Sequence, residues 1–124
     1  MPLTTFFGNV IIDHMLRNQS YTPPSTIYVS LHTAQPNDTG SNEVSGGSYA
    51  RQAMTLNVAS NKSTANSSNI DFTNMPATNV LWAGIWNAST GGSFLMSGSL
   101  TGSKVVNSGD TFRFQSGDFV IVFN

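Results

Sequence analysis

The chain has 124 residues, a net charge of -1 and no cysteine, and only 9% of its residues are charged. This length fits one domain around one hydrophobic core. The lack of cysteine excludes disulfides, thiolate nucleophiles and cysteine-based zinc sites. The lack of a basic cluster removes the attraction that non-specific binding to nucleic acid or anionic lipid requires. We therefore expect no cofactor, no nucleic-acid partner and no membrane partner.

Residues 4 to 19 form the one stretch with a clear helical pattern. Its apolar side chains recur three and four positions apart, at Phe6, Phe7, Val10, Ile11 and Met15. Thr4 or Thr5 can cap the start of the helix, and Pro23 with Pro24 is expected to stop it. We predict that residues 1–22 form an N-terminal helix and its connector.

The rest of the chain favours strands and turns. Ser, Thr, Asn and Gly replace most of the charged residues, and these residue types with the aromatics are typical of strands and turns. From Thr26 to Thr33 the apolar residues alternate, which predicts a first strand. Six further strands are predicted at residues 49–58, 69–72, 80–86, 93–100, 111–115 and 118–123.

The spacing of these segments predicts the architecture. Short strands separated by turn residues favour a sandwich or barrel over an α/β fold. Residues 80–86 and 93–100 are expected to pair as a hairpin across the Thr90-Gly91-Gly92 turn. We predict a single mainly β domain over residues 1–124, with a jelly-roll-like antiparallel sandwich over residues 26–124.

The ionisable residues offer little catalytic chemistry. His14 and His32 are the only groups whose ordinary pKa suits proton transfer near neutrality. A packed or boundary position in the helix explains His14, and a hydrogen bond to loop backbone explains His32. The sequence contains no Gly-x-Ser-x-Gly motif, and its six carboxylates are scattered beside turn residues. We therefore expect a protein that is not an enzyme.

A long loop over residues 34–48 contains two acids, Asp38 and Glu43. Their oxygens could in principle surround Ca²⁺, but their spacing matches no EF-hand. Hydrogen-bonded turns explain them better, and Arg51 can hold Glu43 in a bidentate pair that pins the loop to the second strand. The sequence predicts no metal site.

Two tryptophans, Trp82 and Trp86, lie four residues apart and so share one face of a strand. They could stack on a sugar ring in an exposed groove. Core packing is the favoured interpretation, because a small sandwich needs large apolar side chains and a sugar site also needs exposed acids and amides.

One stretch has a more specific pattern than the rest. It contains Leu31-His32-Thr33, Pro36, Thr39-Gly40, Glu43-Val44-Ser45-Gly46-Gly47 and Tyr49-Ala50-Arg51. This pattern resembles a family of small β-sandwich proteins of tailed-phage virions, which includes head decoration or cement proteins and tail fibre or minor tail modules. The resemblance continues more weakly to the segment 107–113 and covers about residues 26–124. It implies a structural virion module rather than an enzyme.

The organisation of the chain favours one role within this family. A compact chain without coiled-coil or stalk repeats favours a cement protein on the outer capsid surface, bound to the major capsid protein and to copies of itself. The alternative is a tail fibre or minor tail module that binds a receptor or carbohydrate.

Two groups of residues are candidates for contacts. The partner-binding candidates, which could equally cover the end of the sandwich itself, are Phe6, Phe7, Ile11 and Ile12. Loop-organising candidates are His32, Asp38, Glu43, Tyr49 and Arg51.

Overall fold

A computed structural model describes residues 2–123, which form a mainly β fold with one short N-terminal helix. Helix α1 (Thr5–Ile11) continues into a π-helical turn (Ile12–Leu16). Eight strands follow: β1 (Ile27–His32), β2 (Gln52–Met54), β3 (Ser63–Ala65), β4 (Ile70–Phe72), β5 (Thr78–Trp86), β6 (Phe94–Val106), β7 (Phe112–Phe114) and β8 (Val120–Val122). Among residues 2–123, neither helical segment combines the length and apolar character that crossing a bilayer requires.

The principal sheet has four antiparallel strands in the order β2-β1-β5-β6. The predicted hairpin between β5 and β6 is confirmed, with Ile85 opposite Met96. Strand β6 is longer than predicted and runs on to Val106. An irregularity between Val80 and Trp82 in β5 lets the strands pair again after several unpaired residues of β6.

The second layer consists of two antiparallel ribbons, β3 with β8 and β4 with β7. The main core lies between the layers and joins Val29 and Leu31 of the sheet to Phe72 and Ile121 of the ribbons. This confirms the sandwich-like antiparallel arrangement, although its second layer is two ribbons rather than one sheet. Strand β3 was not predicted, because Ser63–Ala65 lacks apolar alternation and owes its extended form to pairing with β8.

The start of the chain is fastened to the edge of β6. The Thr4 amide donates to the Leu95 carbonyl at 2.9 Å, and the Thr4 hydroxyl donates to the Phe94 carbonyl at 2.7 Å. The same hydroxyl oxygen accepts from the Phe7 amide at 3.2 Å and so caps α1, which settles the choice between Thr4 and Thr5. The helical segment is therefore anchored by its first turn.

The helical segment ends earlier than predicted, at Leu16 rather than residue 19. Asn18 adopts a left-handed conformation with φ of 57°, and the amides of Arg17 and Gln19 both bond to the Asp13 carbonyl. An asparagine in this conformation terminates a helix by satisfying its last carbonyls. The stop therefore comes from Asn18, and the expectation that the two prolines end the helix is wrong.

Candidate functional site

The loop over residues 33–48 folds back along β1 and covers the outer face of the sheet. The Thr33 amide donates to the Asn42 carbonyl at 3.0 Å, and the Val44 amide donates to the Leu31 carbonyl at 2.9 Å. At Gly40, an added β-carbon would lie only 2.3 Å from a ring atom of Trp86. The loop backbone therefore rests directly on the tryptophan ring, and the loop forms a third layer opposite the main core.

His32 lies fully buried beneath this loop in a closed hydrogen-bond chain. Its Nδ1 is 2.8 Å from the Ser41 carbonyl, and its Nε2 is 2.7 Å from the Ser30 hydroxyl. Trp86 Nε1 in turn donates to Ser30 Oγ at 2.9 Å. Because a carbonyl only accepts, the partners assign the proton to Nδ1 and make Nε2 the acceptor of the Ser30 hydroxyl proton. Each donor of this hydrogen-bond chain has an acceptor when the imidazole of His32 is neutral.

The neighbouring Ser30 and His32 have the separation of a nucleophile and a general base, but their setting is structural. Both side chains are fully buried, and Ser30 Oγ already accepts the indole proton of Trp86. A backbone carbonyl occupies the position that a carboxylate holds in a catalytic triad. The predicted hydrogen bond from His32 to loop backbone is present, and it fixes the loop to β1.

Burial lowers the pKa of His32, although the bond to the Ser41 carbonyl and the charge of Glu43 act in the opposite direction. The unfolded chain therefore takes up a proton on His32 at a higher pH than the folded chain does. The contribution of neutral His32 to the free energy of unfolding is fully present above about pH 6.5, the ordinary pKa of histidine. It is lost as the pH falls below this value.

We expect the midpoint of thermal unfolding to fall as the pH is lowered from about 7 to about 5, before most carboxylates protonate. A His14→Gln variant should keep this slope, since it leaves the buried imidazole in place. Differential scanning calorimetry across the pH range measures both proteins. An unfolding midpoint that is flat over this range would contradict the neutral, buried assignment of His32.

Arg51 connects the loop to the β5–β6 turn. Its Nε and Nη2 donate to the two carboxylate oxygens of Glu43, each at 3.0 Å, so the predicted bidentate pair is present. Its Nη1 donates to the Ala88 and Gly91 carbonyls at 3.2 and 2.9 Å. The guanidinium also stacks on Trp86, 3.6 Å from the ring centroid. One side chain thus holds the loop, the turn and the tryptophan together.

Tyr49 completes this cluster. Its hydroxyl donates to Glu43 Oε2 at 2.8 Å and accepts from the Leu31 amide at 3.0 Å, while its ring stacks on Phe72. Burial raises the pKa of the phenol, and the Glu43 charge adds to this, so Tyr49 stays a donor. The carboxylate of Glu43 is therefore satisfied by Tyr49 and Arg51 together, and the cluster offers no free charge to a ligand.

Asp38 has a role that the sequence did not predict. Its Oδ1 accepts from the Thr5 amide at 2.8 Å, at the start of α1, and hydrogen bonding from Thr5 lowers the pKa of this carboxyl. Asp38 thus ties the loop to the helix, while Glu43 binds Arg51. The two loop acids have different partners, and the described part of the chain holds no group of three potential metal-ligating acids, histidines or cysteines.

The four partner-binding candidates are divided by the structure. Phe7 packs against the core and so covers the sandwich, and Ile11 is half-buried. Phe6 and Ile12 remain 41% and 50% exposed, and the neighbouring Met15 and Leu16 are 70% and 79% exposed. The helical segment therefore seals its own sandwich with one side and presents apolar side chains on the other.

The three other residues considered for chemistry lie in different surroundings. His14 is exposed rather than packed, and its Nδ1 lies 2.9 Å from the Gln19 carbonyl just after the helical segment. Trp86 is buried below Arg51 and the loop, as the core-packing interpretation predicts. Trp82, four residues earlier in the same strand, is half-buried.

Asn66 is a structural centre that sequence reasoning missed. Its side chain is fully buried, and its Oδ1 accepts from the amides of Gly117 and Phe119 at 3.1 and 2.9 Å. Its Nδ2 donates to the Ser68 and Gln115 carbonyls, both at 2.9 Å. The side chain fixes the turn before β8 to the segment before β4. Asparagine, serine and threonine are so common in this chain that no local pattern distinguishes Asn66.

The fold and these contacts place the protein among small β-sandwiches in which buried polar side chains hold loops and turns against the two layers. The family described as podophage GP4 fiber I protein gp80 matches residues 2–122. The chain belongs to this family of fibre proteins and is a structural protein of a phage virion. No curated protein matches it.

The match thus supports the resemblance to structural proteins of tailed-phage virions. The family description favours the fibre alternative over the cement protein on the capsid surface.

Proposed function

We propose that this protein is a structural subunit of the phage tail fibre apparatus and acts by binding, without catalysing a reaction. The observation that carries the proposal is the match to a fibre protein family over residues 2–122, nearly the whole chain. The internal chemistry agrees with it. The buried serine and histidine hold a loop in place, and the Glu43–Arg51 pair is satisfied within the chain.

The position in the particle is tested by copy number. Quantitative mass spectrometry of purified virions, normalised to the major capsid protein, should give a few to a few dozen copies per particle. Tail structures repeat a limited number of times, whereas a cement protein follows the capsid lattice. A ratio near one to the major capsid protein would overturn the fibre assignment in favour of a cement protein. Antibody labelling at the tail provides an independent measure.

A helical apolar patch, composed of Ile12, Met15 and Leu16 at i, i+3 and i+4 positions, is the surface on which we propose that a second copy of the chain docks. Exposed apolar clusters on small proteins usually mark interaction sites. Asp13 of this segment forms an ion pair with Arg17, just after the segment, at 2.8 Å. A net charge of -1 leaves little repulsion between copies, so apolar contact can dominate association.

Substituting two residues of this patch, Ile12→Ser with Leu16→Ser, is expected to shift the protein from an oligomer to a monomer without unfolding it. Each side chain is at least half exposed, so little core packing is lost. Light scattering coupled to size-exclusion chromatography gives the mass, and circular dichroism reports the fold. Val58→Ser is the matched control, since Val58 is 95% exposed outside the patch. A monomeric wild-type protein would reject self-association through this segment.

A further inference from the structure

A groove of about 470 Å³ opens between β6, β7 and the start of β8, away from the loop layer. Its walls are formed by Leu100, Thr101 and Lys104 of β6, by Phe112 and Phe114 of β7, and by Asp118. This volume falls in the range of small-molecule sites in proteins. None of these residues serves the loop cluster or the helical apolar patch, so the groove is a separate feature.

One wall of the groove is a row of aromatic rings supported from behind by the core. Phe112 and Phe114 meet edge to face at 5.1 Å between ring centroids, and Phe114 meets Phe119 in the same way. Phe112 also contacts Phe72 of the main core. Phe112 and Phe114 are only half-buried, although both pack against the core. The remaining surface of these rings is rigid, apolar and available to a ligand.

The rim of the groove is polar but carries little net charge. Among residues 2–123, all three arginines are paired with carboxylates, and Arg113 is held by Asp71 across the β4–β7 ribbon. Lys104 has no carboxylate within salt-bridge distance among these residues, and the Asp118 carboxylate accepts no hydrogen bond there. One cationic donor and one anionic acceptor are therefore free at the rim, together with the hydroxyl of Thr101.

We propose that this groove binds a neutral saccharide of one or two rings. The apolar face of a sugar ring can stack on the phenylalanines, while its hydroxyls both donate to Asp118 and accept from Lys104. The balance of one positive and one negative group disfavours a strongly anionic ligand, which would gain from Lys104 and lose to Asp118. This inference rests on the proposed function, since a fibre subunit is placed where saccharides of a cell surface are accessible.

The test uses the whole chain labelled with ¹⁵N and titrated with maltose, lactose and N,N′-diacetylchitobiose up to about 50 mM, because exposed sugar sites bind at roughly millimolar Kd. At least one sugar should shift the backbone amides of residues 98–104, 112–114 and 118–120. Lys104→Met should weaken binding about ten-fold, as expected for loss of a charged hydrogen bond. Lys62→Met, which removes the other lysine on a different surface, should leave the affinity unchanged.

The outcomes separate the inference from the proposed function. Absence of shifts with all three sugars, or shifts centred on Trp82 instead of the groove, overturns the saccharide site. Tighter binding of 3′-sialyllactose than of lactose, lost on raising the salt concentration, overturns its neutral specificity. An unchanged affinity in Lys104→Met overturns the assignment of that residue. The fibre assignment stands or falls separately on copy number in the virion, which these titrations do not measure.

Discussion

Asn66→Asp is expected to lower the free energy of unfolding by about 3 to 5 kcal/mol, the upper end of the range for point substitutions. The change replaces Nδ2, which donates to the Ser68 and Gln115 carbonyls, by an oxygen that faces both of them. A protonated carboxyl supplies one of these two bonds, and an ionised carboxyl supplies neither and places a charge in a buried site. Denaturant unfolding followed by tryptophan fluorescence measures the loss.

The control for this variant is Asn79→Asp, the same chemical change at an exposed position in β5 where the side chain has no hydrogen bond within residues 2–123. Surface substitutions of this kind usually change stability by about 0.5 kcal/mol or less. Similar losses in the two variants would contradict the role of Asn66 as the fixed point between the turn before β8 and the segment before β4.

Gly84→Ala is expected to cost about 3 kcal/mol or more, because the added β-carbon would overlap two buried side chains. It would lie 2.4 Å from a ring atom of Phe94 and 2.8 Å from Ser30 Oγ. The position is thus where the aromatic ring of β6 crosses the outer face of β5, beside the His32 chain. Relieving the overlap requires Phe94 to move, and with it the Trp86 ring that contacts it at 4.8 Å between centroids.

Gly102→Ala in β6 is the matched control, because its β-carbon would point into open space within the described structure and its φ is not in the left-handed region. This substitution should be neutral or slightly stabilising, by up to about 1 kcal/mol, through the entropy of the unfolded chain. If Gly84→Ala changed the unfolding midpoint as little as Gly102→Ala, Phe94 would not lie as close to β5 as the structure places it. Thermal unfolding of both variants in one buffer gives the comparison.

The family assignment and the geometry bear on function in different ways. The match over residues 2–122 identifies a fibre protein family, whereas the geometry supplies the two surfaces that we propose for partners. The polar side chains of the loop layer are satisfied internally, whereas the helical apolar patch and the groove beside β7 are open to a partner. We propose self-association through the first surface and saccharide binding through the second.

Features that depend on neighbours in the sequence were predictable. Apolar alternation places β1 and the β5–β6 hairpin, because side-chain direction in a strand follows directly from residue spacing. Thr4 caps the helix as one of two threonines expected at that position. The Glu43–Arg51 pair was also predictable, since Glu43 on the loop and Arg51 just before β2 are eight positions apart and have complementary geometry.

Where local pattern was weak, the predictions were incomplete. Strand β3 is made of Ser63, Thr64 and Ala65, which carry no apolar alternation, and only pairing with β8 reveals it. The end of the helical segment was misplaced, because Asn18 acts through a backbone conformation that residue type alone does not specify. Asp38 was expected to serve its own loop, but its partner is Thr5, 33 residues earlier in the chain.

The β-rich class, the hairpin, the N-terminal helix and the phage virion resemblance follow from the amino-acid sequence alone, because composition, periodicity and motif spacing are properties of short segments. Three features depend on the packing of the layers: which polar residues are buried, which side of the helical segment faces solvent, and where the groove opens. Burial is set by contacts between distant segments: three of the four hydrogen bonds of the Asn66 side chain join it to residues about fifty positions later, and Ser30 receives a bond from Trp86. Such contacts depend on how the layers stack, and no local stretch of the chain contains that information.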